Sequence, residues 1–190
     1  MLHTTDAIVL SLQPHSDKAH LLHAYTRAGG RVNYRVYGLG KKHAIGMYSP
    51  LSLIQLTADA STIRTAQLAF ISSSINSDPY KRTIAMFLSE VLYNIFRHPM
   101  PDEPMFEYIA QSIRQLEETD EPQNFHLAFL IGLAAQLGFA IPESETTLLR
   151  VPSTRSERQQ QLRALCTFFE EHVETWQYPR SLDVLIDVFD

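Results

Sequence analysis

The sequence has little of what several classes of protein require. Its only cysteine, Cys166, excludes an internal disulfide framework and a multi-cysteine zinc site, and it is typical of a reducing compartment. No apolar run approaches the roughly 18–20 residues of a membrane span, and residues 1–6 lack the form of a signal peptide. Charged residues make up only 19% of the chain and apolar residues 45%, which excludes a disordered protein. We expect a soluble, cytoplasmic protein with no membrane partner.

Catalytic motifs are also missing. The sequence contains no G-x-S-x-G, no H-E-x-x-H and no P-loop, and residues 38–40 form only a lone G-x-G. Cys166 lies on an apolar helical stripe, where a buried hydrophobic role is expected. His20 and His23 are three residues apart on a predicted strand and therefore face opposite sides, which is poor geometry for chelation. We expect no catalytic residues, no cofactor, no metal and no enzymatic activity.

Charge is distributed unevenly along the chain. The net charge is −5, but residues 1–75 carry seven Lys/Arg and three acids, whereas residues 76–190 carry nine Lys/Arg and 18 acids. The N-terminal part is therefore basic and the C-terminal part acidic. Such asymmetry indicates that the basic part faces nucleic acid.

Hydrophobic patterning divides the chain at a similar point. Short alternating runs separated by Gly, Asp and Ser turns predict five strands at residues 7–13, 19–26, 31–37, 51–57 and 63–70. Five strands in about 70 residues favour a small closed or partly open β-barrel. From Asp78 the apolar period becomes 3.6, and helices are predicted from Pro79 to residue 97, from Asp102, over residues 125–139 and 156–176, and from Ser181. We expect an α+β protein with a β-domain at residues 1–76 and an all-α domain at 77–190.

The third predicted strand carries the clearest binding signal. Alternation places Val32, Tyr34 and Val36 on one face, and the other face has two guanidiniums, an amide and a phenol. Cations suit a phosphate backbone and an aromatic ring suits base stacking. The candidate nucleic-acid-binding residues are Lys18, Arg27, Arg31, Arg35, Tyr37, Lys41 and Lys42.

The order of these elements resembles the RecO family of bacterial recombination mediators. The resemblance rests on residues 5–10, 16–17, 25–31 and 49–53 in the β-domain, and on residues 87–92, 124–126, 137–139 and 181–185 in the helical part. It implies an N-terminal OB-fold followed by a helical domain. It also implies binding of single- and double-stranded DNA, strand annealing, contacts with RecR and with the C-terminal tail of the single-strand-binding protein SSB, and loading of RecA on SSB-coated DNA. We expect the protein to be a monomer in the bacterial cytoplasm, associated with the nucleoid.

Two departures from that family pattern stand out. Many members carry a four-cysteine zinc motif after the helix equivalent to residues 125–139, but here residues 141–155 contain no cysteine. We therefore expect no zinc in this chain. The segment between Gly40 and Pro50 is also compact, and the chain is shorter than most members.

Two other functions remain open from the residues alone. The acidic helical part is also consistent with a non-catalytic adaptor that docks a basic protein, in which the β-domain is a spacer. A metal-dependent nuclease is the second alternative, which the lack of a carboxylate–histidine cluster disfavours. DNA titration at two salt concentrations, with a gel for cleavage, separates the three.

Overall fold

The chain forms two compact units in a computed structural model that describes residues 1–39, 46–141 and 149–188. The first unit consists of Met1–Ser73 together with Phe96–Ile113. The second consists of Ser74–Ile95 and Arg114–Asp190. The barrel unit thus includes a segment from within the part of the sequence that was predicted to be wholly a helical domain, and a domain boundary at residue 76 stays a prediction.

The first unit is built around a closed five-stranded barrel. Its strands run in the order β1-β2-β3-β5-β4, with β1 pairing antiparallel to both β2 and β4. The barrel closes where β3 meets β5 in parallel, with Arg35 opposite Thr62. This is the strand order of an OB-fold, so the predicted α+β class with an N-terminal OB-type barrel followed by helices is confirmed. The strands are β1 Leu2–Ser16, β2 Ala19–Thr26, β3 Gly30–Tyr37, β4 Leu53–Asp59 and β5 Thr62–Leu68.

Alternate side chains of each strand point into the barrel and fill its interior. Buried residues of β1 to β4 meet there, among them Val9, Leu22, Tyr34, Ile54 and Leu56, and side chains of β5 pack against them partly buried. Burial of this apolar surface, at roughly 25 cal/mol per Å², stabilises the closed sheet.

Two predicted strand starts were wrong by two residues or more, and the predicted ends of β1, β4 and β5 were each wrong by two or three residues. β1 extends to Leu2 because the polar residues His3, Thr4 and Thr5 pair with β4, and a polar strand end leaves no apolar alternation. β4 begins only at Leu53 because Leu51 has φ +61°, a left-handed conformation outside the extended range of regular strand residues.

The helices begin largely where their capping residues predict. Asp78 accepts hydrogen bonds from the backbone N–H of Tyr80 (2.7 Å) and Lys81 (3.3 Å), and Asp102 accepts one from Met105 (2.9 Å). Thr154 and Glu157 form a capping box. The helices are α1 Ser73–Ser77, α2 Pro79–Ile95, α3 Glu103–Glu118, α4 Phe125–Gln136, α5 Arg155–His172 and α6 Leu182–Val188, with a 3₁₀ turn at Pro122–Asn124.

The second unit packs its helices around α2 and α4. α2 contacts α4 and α6, and α4 contacts α5. α4 ends in a Schellman motif, because Gly138 has φ +85° and Phe139 donates its N–H to the carbonyl of Ala134. Within the described ranges, no helix is both long and apolar enough to cross a membrane.

Candidate nucleic-acid interface

The outer face of β3 has the alternation that the sequence predicts. Tyr34 and Val36 are buried in the barrel, whereas Asn33, Arg35 and Tyr37 are exposed. Each outward residue of β3 lies opposite an outward residue of β2, so the two strands present one continuous surface. This surface, formed by β2 and β3, is called the β2–β3 outer face below.

One end of the β2–β3 outer face is open. Tyr37 is 56% exposed and lies opposite Ala19, so that Lys18 in the β1–β2 turn is at the same end of the strands. Arg35 lies one outward position before Tyr37 and is also exposed. Within the part of the chain that the structure describes, no side-chain hydrogen bond or ion pair engages Lys18, Arg35 or Tyr37. Their charges and the phenol ring therefore face solvent.

Arg31 is in a different environment at the opposite end of β3. Its guanidinium donates a hydrogen bond to the Phe96 carbonyl (3.1 Å) and lies 3.0 Å from Nδ1 of His23. His23 in turn lies 2.6 Å from Oδ1 of Asn33. Burial lowers the pKa of His23, and the neighbouring Arg31 charge acts in the same direction. Arg31 thus belongs to a hydrogen-bonded network that attaches the Phe96 segment to the barrel.

Arg27 is likewise engaged within the first unit. It forms ion pairs with Glu103, with Glu107 at 2.6 Å and with Asp6 at 3.5 Å. Its guanidinium also lies 4.4 Å from the ring centroid of Phe106. Three carboxylates around one cation leave no net positive charge for a phosphate at this position.

The remaining two candidate residues, Lys41 and Lys42, lie outside the described residues. In the sequence they follow β3 by four and five positions. They stay predicted phosphate contacts.

The open end has the chemical groups that single-stranded nucleic acid needs. Lys18 and Arg35 offer two cations for phosphates, and Tyr37 offers an exposed aromatic face for a base. The strands that form this end are the part of an OB-fold that binds oligonucleotides. The structure thus brings Lys18, Arg35 and Tyr37 together and places Arg27 and Arg31 at the other end of the same face.

Sequence reasoning missed why Arg27 and Arg31 differ from Arg35. Their partners Glu103, Glu107 and Phe96 are 65–80 residues away in the chain, and no local pattern links such positions. The sequence contained one local signal, which is Gly30 after Arg27. A glycine can adopt a positive φ and permit a close backbone approach, and Gly30 has φ +63° with the Met100 backbone against it.

Metal ligands are not grouped in this chain as far as the structure describes it. Residues 1–39, 46–141 and 149–188 contain no group of three or more His, Cys, Asp or Glu side chains that could hold a metal ion.

Comparisons with known proteins agree with this architecture. The family model for the C-terminal part of recombination protein O matches residues 76–147. The DNA repair protein RecO of Porphyromonas gingivalis is 29% identical over an alignment of 245 positions, which spans all of both chains. That of Phocaeicola vulgatus is 36% identical over 148 residues, covering 73% of this chain and 61% of the relative. That of Christiangramia forsetii is 26% identical over 238 residues, again spanning all of both chains.

The matches and the fold lead to one assignment. The relatives cover both the barrel and the helices, and the family model independently matches the start of the helical part. A closed barrel followed by helices is the architecture that the resemblance implied. The chain therefore belongs to the RecO family of DNA repair and recombination proteins.

Proposed function

We propose that this protein is a non-catalytic recombination mediator that binds single- and double-stranded DNA through the open end of the β2–β3 outer face. The single observation that carries the proposal is the grouping of Lys18, Arg35 and Tyr37 at that end, exposed and without side-chain partners among the described residues. Bound DNA strands are then available for annealing and for loading of RecA on SSB-coated DNA. RecR is a further proposed partner, and the proposed working state is a monomer.

The number of free cations sets the expected strength of electrostatic binding. Lys18 and Arg35, together with Lys41 and Lys42, neutralise up to four phosphates. Each neutralised phosphate of a single strand contributes about −0.7 to the slope of log K against log salt concentration, so we expect a slope of about −3.

The test is a fluorescence-anisotropy titration of a labelled single-stranded oligonucleotide at several salt concentrations. The double charge reversal K18E/R35E should weaken binding by at least about tenfold and bring the slope to about −1.5. The matched control is R163E/R180E, which changes the net charge equally at two exposed arginines of the second unit. Equal losses in the two variants would contradict the proposed location.

The same titration separates the alternatives. A protein-interaction adaptor would bind the oligonucleotide without salt dependence or not at all. A nuclease would shorten it on a denaturing gel when a divalent cation is added, whereas a mediator leaves it intact.

We also propose a position for the acidic SSB tail in the second unit. A cleft there is lined by His126, Arg155 and Arg158, with the apolar side chains of Leu162 and Leu185 beside them. The Arg158 Nε is buried and has no acceptor among the described residues. The cleft holds only about 20 Å³, so it serves as a cationic anchor point with an apolar rim, against which an acidic peptide with apolar side chains lies on the surface.

Peptide titration tests this second contact. Binding of an SSB-tail peptide should weaken in R155Q/R158Q and persist in the control R163Q, which lies on the same helix outside the cleft. Equal binding in both variants would place the tail elsewhere. This outcome is independent of the DNA titration.

A further inference from the structure

The half of the β2–β3 outer face near Gly30 is covered by the segment Phe96–Ile113. Tyr25 points outward there, opposite Arg31, yet only 1% of it is exposed. Its ring stacks on Phe96 at a centroid distance of 4.4 Å and lies 6.4 Å from the Phe106 ring. Burial raises the pKa of Tyr25 to about 12. This ring is therefore closed to a base.

The covering segment is attached at several points of the first unit. The Met100 backbone lies against Gly30 so closely that a Cβ at residue 30 would overlap it. Arg31 holds the Phe96 carbonyl, and Arg27 holds Glu103 and Glu107. Apolar stacking, a hydrogen bond and ion pairs thus act together, and the cover belongs to the folded state of the barrel unit.

Charge reinforces the difference between the two ends. Asp6, Glu103 and Glu107 surround the single cation of Arg27, and all three carboxylates are partly exposed. Arg31 adds a second cation at this end, so the three carboxylates exceed the two arginines by one negative charge, which disfavours a phosphate backbone there. At the Tyr37 end, Asp17 is the one acid in the turn beside Lys18.

We infer that the segment Phe96–Ile113 limits the DNA-binding part of the β2–β3 outer face. This part is called the DNA track below, and the segment is called its end stop. This inference rests on the proposed function and adds where the bound strand ends. The track covers the outer face from Tyr37 to Asn33, about 13 Å at 3.3 Å per residue, and stops where the cover begins. A strand longer than the track leaves the barrel at that point and does not continue past Gly30.

Site-specific photo-cross-linking of the full chain to a labelled 15-nucleotide single strand tests whether bound DNA ends at the segment Phe96–Ile113. A photoreactive phenylalanine derivative is placed at position 37, 100 or 71, one per protein. Met100 and Ile71 are a matched pair, because they are 71% and 72% exposed and both belong to the first unit. The affinity of each labelled protein is measured first, so that cross-linking is compared at equal occupancy.

The expected yield at position 37 is about tenfold higher than at either other position, since base stacking keeps the strand against that ring. The expected yield at position 100 equals that at position 71. A yield at position 100 well above that at position 71 would overturn the end stop and leave the proposed function standing. A yield at position 37 no higher than at position 71 would overturn the proposed DNA site, and the end stop with it.

Discussion

Gly30 lacks a Cβ at the point where the backbone of Met100 lies against it. A Cβ at residue 30 would overlap the Met100 carbonyl and lie 2.7 Å from the Met100 nitrogen. Gly30 also has φ +63°, which L-residues rarely adopt. The β2–β3 turn therefore requires glycine for two separate reasons, conformation and space.

Replacing Gly30 with alanine should destabilise the first unit by about 2–4 kcal/mol, because left-handed strain and backbone overlap add together. The matched control is Gly38→Ala, since Gly38 has φ +74° but a Cβ there would meet no heavy atom within 4 Å among the described residues. The control should lose only about 1 kcal/mol. Urea denaturation of both variants measures the difference, and equal losses would mean that Met100 moves aside without cost.

Removing the charges of Arg27 and Arg31 should separate their structural role from DNA binding. R27Q/R31Q breaks the contacts to Glu103, Glu107 and Phe96, and we expect about 1–3 kcal/mol of lost stability. The salt slope of DNA binding should stay near −3, because the proposed site draws its phosphate contacts from other cations. A slope reduced by more than one unit in the folded variant would place both residues on the DNA after all.

Most of the fold was predictable because its signals are local. Alternation identified all five strands, and the Asp78-Pro79 pair identified the start of α2. α1 was missed since a run of serines with Ile75 as its one buried side chain has no apolar stripe. Its backbone N–H groups at Ser74 and Ile75 instead bond to the Glu117 carboxylate, a partner more than 40 residues away.

The candidate site was only partly predictable for the same reason. Period two alone places Arg31 and Arg35 on one face of β3, and the structure agrees. What distinguishes them is the covering segment Phe96–Ile113, whose contact with the barrel depends on tertiary packing and leaves no trace in the β-strand pattern. Composition indicated a cation at both positions, but only Arg35 has its charge directed to solvent.

Lys81 is a buried cation whose loss should be costly in the second unit. It is 4% exposed, and its ammonium donates to Ser74 Oγ and to the Glu117 carbonyl, both at 2.7 Å. Lys81→Met removes the donor to two half-buried acceptors, so we expect a loss of about 1–3 kcal/mol. The control Arg82→Met removes an exposed cation that donates to the Asn76 carbonyl and should change stability by less than about 1 kcal/mol. Trp176, the only tryptophan, reports unfolding by fluorescence in both variants.

His126 should make the stability of the second unit depend on pH. Burial lowers its pKa to about 3, and the Arg158 charge adds to this effect. The unfolded state takes up the proton near pH 6.5 and the folded state does not, so stability is complete above pH 6.5 and falls as the pH drops toward 3. Between pH 6.5 and 5 we expect a loss of about 2 kcal/mol. Urea midpoints followed by Trp176 fluorescence measure it, and His126→Gln should flatten the profile over that range.

Tyr37 provides the most direct check on base stacking at the open end. Its ring is exposed, so removing it leaves the barrel core unchanged. Tyr37→Ala should weaken single-stranded DNA binding by about 1–3 kcal/mol without changing the salt slope, because stacking carries no charge. Tyr37→Phe keeps the ring and should bind within about twofold of the parent protein. Anisotropy titrations at two salt concentrations distinguish the cases. An equal loss in both variants would assign the effect to the hydroxyl group, and no loss in either would remove Tyr37 from the DNA track.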